Sequence, residues 1–149
     1  MKKVDINSYE TIIFDCDGVI LNSNKIKTDS FKKTLEGYST KSIERLVDYH
    51  ISHGGISRYQ KFEYFLKNIE KKKEYQADLE LLLKKFKQNV ISGLMCCEIN
   101  ENIKKLKKIT KSRWLVSSGG DQEEIREIFK RRNIHELFEL GIYGSPDTK

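Results

Sequence analysis

Apolar residues alternate between two kinds of spacing along this chain. Short unbroken runs rich in β-branched and aromatic residues occur in "TIIFD", in "SRWLVSSGG" and around "FELGIYGS". Such runs read as buried parallel strands. After the second run comes "DQEEIREIFKRRN", with Ile125, Ile128 and Phe129 at helical spacing behind an acidic first turn, which predicts an amphipathic helix. Between the first two strands lie about ninety residues, far more than one crossover helix requires. That interval repeats apolar positions at three and four: Ile43, Leu46, Val47 and His50; then Phe62, Phe65, Leu66 and Ile69; then Leu79, Leu82, Leu83, Phe86 and Val90. A helical insertion is expected over 25–90, divided by the Gly54–Gly55 pair. The parallel α/β core is then 1–24 with 91–149, and "NENIKKLKKIT" forms the helix leading back into it.

Ligand sites of parallel sheets lie at the carboxyl ends of strands, where Asp15, Asp17, Ser117 and Ser118 all fall. In "TIIFDCDGVILNS", side chains two apart share a side, so Asp15 and Asp17 can converge if the chain bends, and Gly18 permits the bend. Close carboxylates repel unless a divalent cation or cationic substrate sits between them, or one holds a proton. Oxygen-only ligands favour a hard ion such as Mg²⁺, which leaves waters for a phosphate to replace. Cys16 should face the opposite way, into the packing, and is not expected to be catalytic.

The chain has 149 residues, with 28 Lys plus Arg against 22 Asp plus Glu and a net charge of +6, which suits anionic partners. The lysines of "NIKKLKKITK" lie opposite the stripe of Ile103, Leu106 and Ile109 or Thr110, so they read as a solvated face rather than a nucleic-acid or membrane patch. Three cysteines, Cys16, Cys96 and Cys97, have no metal-type spacing and suit a reducing compartment. No run approaches a signal peptide or membrane span. A cytoplasmic protein acting on a small phosphorylated molecule, with neither nucleic acid nor membrane as partner, is expected.

"FDCDGVILNS" resembles the first signature of the haloacid dehalogenase superfamily, "WLVSS" its second and "GIYGSPDTK" its third, and the insertion resembles its small helical cap. The resemblance implies a Rossmann-like parallel sheet with an α-helical cap, and Mg²⁺ held by the Asp15 side chain and the Asp17 carbonyl. It further implies Asp15 as nucleophile, Asp17 as acid and base, Ser117 as a hydrogen-bond donor to the phosphoryl group and Lys149 as its neutralising cation. Gly18, Ser118, Gly55 and Arg58 would line the substrate side. The second aspartate favours phosphate over haloacid substrates, because a halide leaves without a proton.

"HGGISRYQKF" occupies the position of the family's specificity loop, and Arg58 there is expected either to clamp a second anionic group or to be a solvated helix start capped by Ser57. His53 and Lys61 are weaker candidates, His50 is expected to pack on its helix, and His135 to lie on a surface turn. "DQEEIRE" reads as a surface cluster complementing the helix dipole. The family's fourth, acidic motif has no counterpart before Lys149, so the sheet is expected to lack its C-terminal strands, with the Asp15 strand as an exposed edge open to self-association. The implied function is a Mg²⁺-dependent phosphatase acting on a sugar or sugar-acid phosphate through an aspartyl-phosphate. A phosphomutase or phosphotransferase of the same fold, or a shortened non-catalytic member that binds a ligand or partner, are the alternatives.

Overall fold

The structure is a computed structural model that describes residues 5–145. Its three expected strands, β1 (Thr11–Phe14), β2 (Arg113–Asp121) and β3 (Ile142–Ser145), form one parallel sheet in the order β1-β2-β3. Phe14 lies beside Val116, and Val116 beside Ile142, so the strands' carboxyl ends come together. Trp114 and Val116 are fully enclosed, and Phe14 packs on Trp114 with ring centroids 4.6 Å apart. On the opposite face Ile13 is 65% exposed. Among the described residues β1 has no second neighbour, so it takes the edge position expected for the Asp15 strand, with one face buried and the apolar Ile13 exposed on the other.

Helices α1 (Asn24–Thr34), α2 (Thr40–Ser52), α3 (Arg58–Tyr64) and α4 (Gln76–Cys96) fill the interval between β1 and β2. They form because the spacing read from sequence buries one face of each: Leu46 and Val47 on α2, Phe62 on α3, and Leu82, Phe86 and Val90 on α4. Phe65, Leu66 and Ile69 are buried on a π-helical turn, Phe65–Ile69, that continues α3, where the Glu70 N–H reaches back to the Phe65 carbonyl. Helix α4 packs on α1 and α3 and does not stop at Val90; it runs on to Cys96 and reaches α6 (Gln122–Arg131). One apolar cluster therefore spans both parts of the chain.

Helix α5 (Glu101–Ile109) precedes β2 and buries Ile103; Ile109 is 68% exposed, so the last position of the expected stripe is the half-buried Thr110. Its Lys107 is paired with Glu139 and lies over the Trp114 ring. Helix α6 places Ile125, Ile128 and Phe129 inward as expected. Among the described residues no helix is long and apolar enough to cross a membrane.

Candidate active site

Beyond Phe14 the chain turns sharply. Gly18 adopts φ +75°, and its N–H donates to the Leu21 carbonyl at 2.7 Å while Ile20 and Leu21 donate back to the Cys16 carbonyl. The turn leaves Asp15 and Asp17 on the wall of one cavity of about 390 Å³, between the strand ends and helices α1 to α4. Cys16 between them is buried, and burial pushes its thiol far above the usual cysteine range, in keeping with packing rather than chemistry.

The two carboxylates have different surroundings. Asp15 Oδ1 accepts the Cys16 N–H at 2.8 Å, and Asp15 makes no ion pair among the described residues. Asp17 is held from both sides: Ser23 Oγ donates to Oδ1 at 2.6 Å, and Lys27 Nζ is paired with Oδ2. Lys27 lies in the first turn of α1, which the chain enters through Ser23, so the helix that opens the insertion returns a cation to the strand end. Sequence reasoning missed Lys27.

Opposite the strand ends, the loop between α2 and α3 brings Gly54, Gly55 and Ile56 to the cavity. Gly55 has φ +82°, and its carbonyl sits so close to Gly119 that any side chain there would collide with it. Gly119 and Gly120 complete the core wall. The two serines before them do not line it. Ser117 is exposed and lies beside Tyr143 of β3, and the Ser118 hydroxyl accepts the Gly120 N–H at 3.0 Å. Ser117–Gly120 continue β2 irregularly, because the register with β3 breaks between Ser117 and Asp121. Gly18 lines a separate depression with Asn22 and Asn100 and serves the cavity only through the turn it permits. Lys149 lies outside the described residues.

Arg58 corrects the expectation of a solvated helix start. Ser57 does cap α3, accepting the Gln60 N–H, yet Arg58 is 8% exposed rather than solvated. It lines the cavity with its guanidinium over Phe86, and Nη2 donates to Glu124 Oε1 at 2.8 Å in a buried ion pair. Glu124 in turn corrects the reading of "DQEEIRE" as surface. Asp121 caps α6 by accepting the Glu124 N–H, as the spacing suggests, but the Glu124 side chain turns inward to Arg58 and leaves Oε2 without a partner among the described residues. Next to it, the Tyr59 hydroxyl donates to Asp121 at 2.6 Å, and burial together with this bond raises that phenol to about 12.

Two further side chains face the cavity from the helices. His50, expected simply to pack, stacks near Phe31 with ring centroids 4.6 Å apart, and its Nδ1 lies 2.9 Å from Lys61 Nζ. Burial, then the Lys61 charge, lowers His50 to about 4, so the ring is neutral and Nδ1 accepts from the ammonium. Lys61 is 3% exposed, and burial followed by repulsion from Lys27 lowers it to about 8. His53, by contrast, is exposed and stacked on Tyr49, and His135 is exposed in a short 3-10 turn.

No cluster of three or more acidic, histidine or cysteine side chains occurs among the described residues. The donors that remain, the Asp15 carboxylate and the backbone carbonyl of Asp17, are hard oxygens and few, which fits Mg²⁺, an ion that retains several waters.

A family model described as haloacid dehalogenase-like hydrolase matches residues 12–149. Three solved structures share the fold. A haloacid dehalogenase-like hydrolase from Streptococcus pneumoniae has 17% identity and TM-score 0.60, covering 94% of this chain and 63% of that one. A magnesium-bound hydrolase of the same type from Bacillus subtilis has 17% identity and TM-score 0.64, covering 94% and 66%. CbbY from Rhodobacter sphaeroides, in complex with xylulose-1,5-bisphosphate, has 12% identity and TM-score 0.66, covering 93% and 64%. The chain thus spans a little under two thirds of each of these three structures. Among curated proteins there is no significant match.

Proposed function

The chain belongs to the haloacid dehalogenase-like hydrolase family, and we propose that it acts as a Mg²⁺-dependent phosphatase on a small phosphorylated metabolite, a sugar or sugar-acid phosphate, through an aspartyl-phosphate. The observation that carries this reading is the unequal pair: Asp15 without an ion-pair partner and Asp17 held by Ser23 and Lys27 on the same cavity wall. A nucleophile needs an open carboxylate oxygen, whereas an acid and base needs a fixed direction.

In the first step an Asp15 oxygen attacks phosphorus, the bond from phosphorus to the ester oxygen breaks, and Asp17, which enters this step as the protonated acid released from its resting pair with Lys27, gives that oxygen its proton. In the second, Asp17 takes a proton from water as the water attacks the aspartyl-phosphate, and Asp15 is released with inorganic phosphate. Bound Mg²⁺ would supply charge neutralisation for the phosphoryl oxygens. The carboxylate of Asp15 and the carbonyl of Asp17 would hold it. Lys27 and Ser23 hold the resting Asp17 carboxylate on the same wall as Asp15. Gly119 and Gly120 bring backbone rather than side chain to the phosphoryl group. Lys149 remains a proposed phosphoryl contact, and Gly55 and Arg58 proposed contributors to the substrate side; Ser117 and Ser118, off the cavity wall, are given no phosphoryl contact, and Gly18 acts through the turn it permits.

Hydrolysis of p-nitrophenyl phosphate with Mg²⁺ tests the reading. Asp15→Asn is expected to lower turnover by at least about 10³-fold with an unchanged circular dichroism spectrum. Full activity in that variant would overturn it.

A further inference from the structure

The charges around the cavity do not cancel one another evenly. Lys27 is paired with Asp17, and Arg58 with Glu124. Lys61 is more enclosed than either of these cations, yet among the described residues its polar partner is the neutral Nδ1 of His50 and it meets no carboxylate. An ammonium taken out of water without a counter-charge is unfavourable, and a neutral imidazole supplies orientation but no charge. Two of its three N–H donors remain available on a wall of the cavity that also carries Asp15 and Asp17.

Arg58 and Lys61 are three residues apart on α3 and so share a face. Arg58, with Tyr59 beside it, is tied to α6 through Glu124 and Asp121, which fixes the helix and with it the position of Lys61. Phe31 backs the ammonium, its ring 6.0 Å from Nζ, and Phe86 lies against both Phe31 and Arg58. The result is a rigid cation with an apolar floor, placed in the compartment where the phosphoryl group would react.

We propose that Lys61, oriented by His50, is the seat of a second anionic group of the substrate, so that the preferred substrate is a small phosphomonoester that also bears a carboxylate or second phosphate. Resting on the phosphatase reading for the other end of that molecule, this gives to Lys61 the role that sequence alone gave to Arg58, whose charge Glu124 already balances. A cavity of about 390 Å³ restricts the substrate to a small metabolite.

Calorimetric titration in Mg²⁺ with two unreactive probes tests the proposal: propylphosphonate, which has one anionic group, and 3-phosphonopropionate, which adds a carboxylate. The protein is expected to bind the second about 10- to 100-fold more tightly, the span of a charge-assisted hydrogen bond. Lys61→Met should abolish the preference, and Lys61→Arg should keep part of it. Equal binding of both probes, or a preference that survives in Lys61→Met, overturns the proposal. Its failure is separable from that of the phosphatase reading. Asp15-dependent hydrolysis of p-nitrophenyl phosphate without a probe preference sinks Lys61 alone, whereas a Lys61-dependent preference without hydrolysis sinks the phosphatase reading alone. A small-angle scattering or circular dichroism match between wild type and Lys61→Met excludes misfolding as the source of a lost preference.

Discussion

The two walls of the cavity are built by opposite rules. The core wall, at the ends of β1 and β2, is local: Asp15, Asp17, Ser23 and Lys27 lie within one turn and the helix that follows it. The cap wall is assembled from partners far apart in the chain. Arg58 finds Glu124 across 66 positions, Tyr59 finds Asp121 across 62, and the Gly55 carbonyl abuts Gly119. The local wall carries the groups proposed for bond breaking. The distributed wall carries those proposed for recognition, and its geometry exists only when cap and core are packed together.

Asp17→Asn should separate the walls most sharply. It removes the proton donor but leaves Arg58 and Lys61 in place, so release of the alcohol in the first turnover of an alkyl phosphate is expected to slow by about 10²- to 10⁴-fold, and that from an aryl phosphate with a good leaving group far less, while later turnovers of both fall together because breakdown of the intermediate has lost its base. A loss of equal size in the first turnover of both substrates would place the role of Asp17 elsewhere, and leaving-group series at fixed Mg²⁺ measure it.

The distributed wall should instead break through stability. Glu124→Gln leaves Arg58 buried without its counter-charge and is expected to cost about 3–5 kcal/mol, read as a lowered denaturation midpoint. Replacing both members, Arg58→Met with Glu124→Leu, should restore most of it, since a buried pair is worth little against apolar packing. A double variant no more stable than Glu124→Gln would show that the pair has a role beyond mutual compensation. Gly119→Ala is a smaller perturbation, expected to cost about 1–3 kcal/mol because the new Cβ collides with the Gly55 carbonyl. Thermal melts of the variant beside Gly54→Ala, where a Cβ meets nothing within 4 Å, check it.

The mildest expected effect is one of pH. Lys61 is faced by His50 from α2, Lys27 and the Phe31 ring from α1, and Asp17 from the turn after β1. Its ammonium is lowered to about 8, first by burial and then by Lys27, so it is charged below that pH and neutral above it. Affinity for 3-phosphonopropionate relative to propylphosphonate should therefore decline as pH rises through about 8. Lys61→Arg should flatten the decline, because a guanidinium stays charged throughout. A relative affinity independent of pH between 7 and about 9 would contradict the assignment.

The same division between local and distant explains what was legible in the sequence. The strands and helices follow from apolar spacing, because burial of one face decides them, and the period of two in β1 already put Asp15 and Asp17 together and Cys16 inward. Lys27 was within reach, since a helix beginning just after Ser23 returns its first turn toward the strand end. The pairing of Arg58 with Glu124 was not: a capping-box spacing in "DQEE" leads the side chain back to its own helix, and only tertiary packing redirects it. His50 and Lys61 are ordinary in their own helices and acquire meaning from each other across a glycine loop. The serines were misplaced because strand alternation can turn only one of two neighbours to a given face, and a broken register displaced both from the cavity.

The most direct test of the account is to identify the atom that accepts the phosphoryl group. Asp17→Asn, which lacks the base for breakdown of the intermediate, would be incubated with acetyl phosphate and Mg²⁺, quenched, reduced with borohydride and mapped by peptide mass spectrometry. The account predicts that position 15 alone is converted to homoserine, and that removing Mg²⁺ with chelator prevents it. Conversion at another aspartate, or none at position 15 while the wild-type chain hydrolyses p-nitrophenyl phosphate, would contradict it.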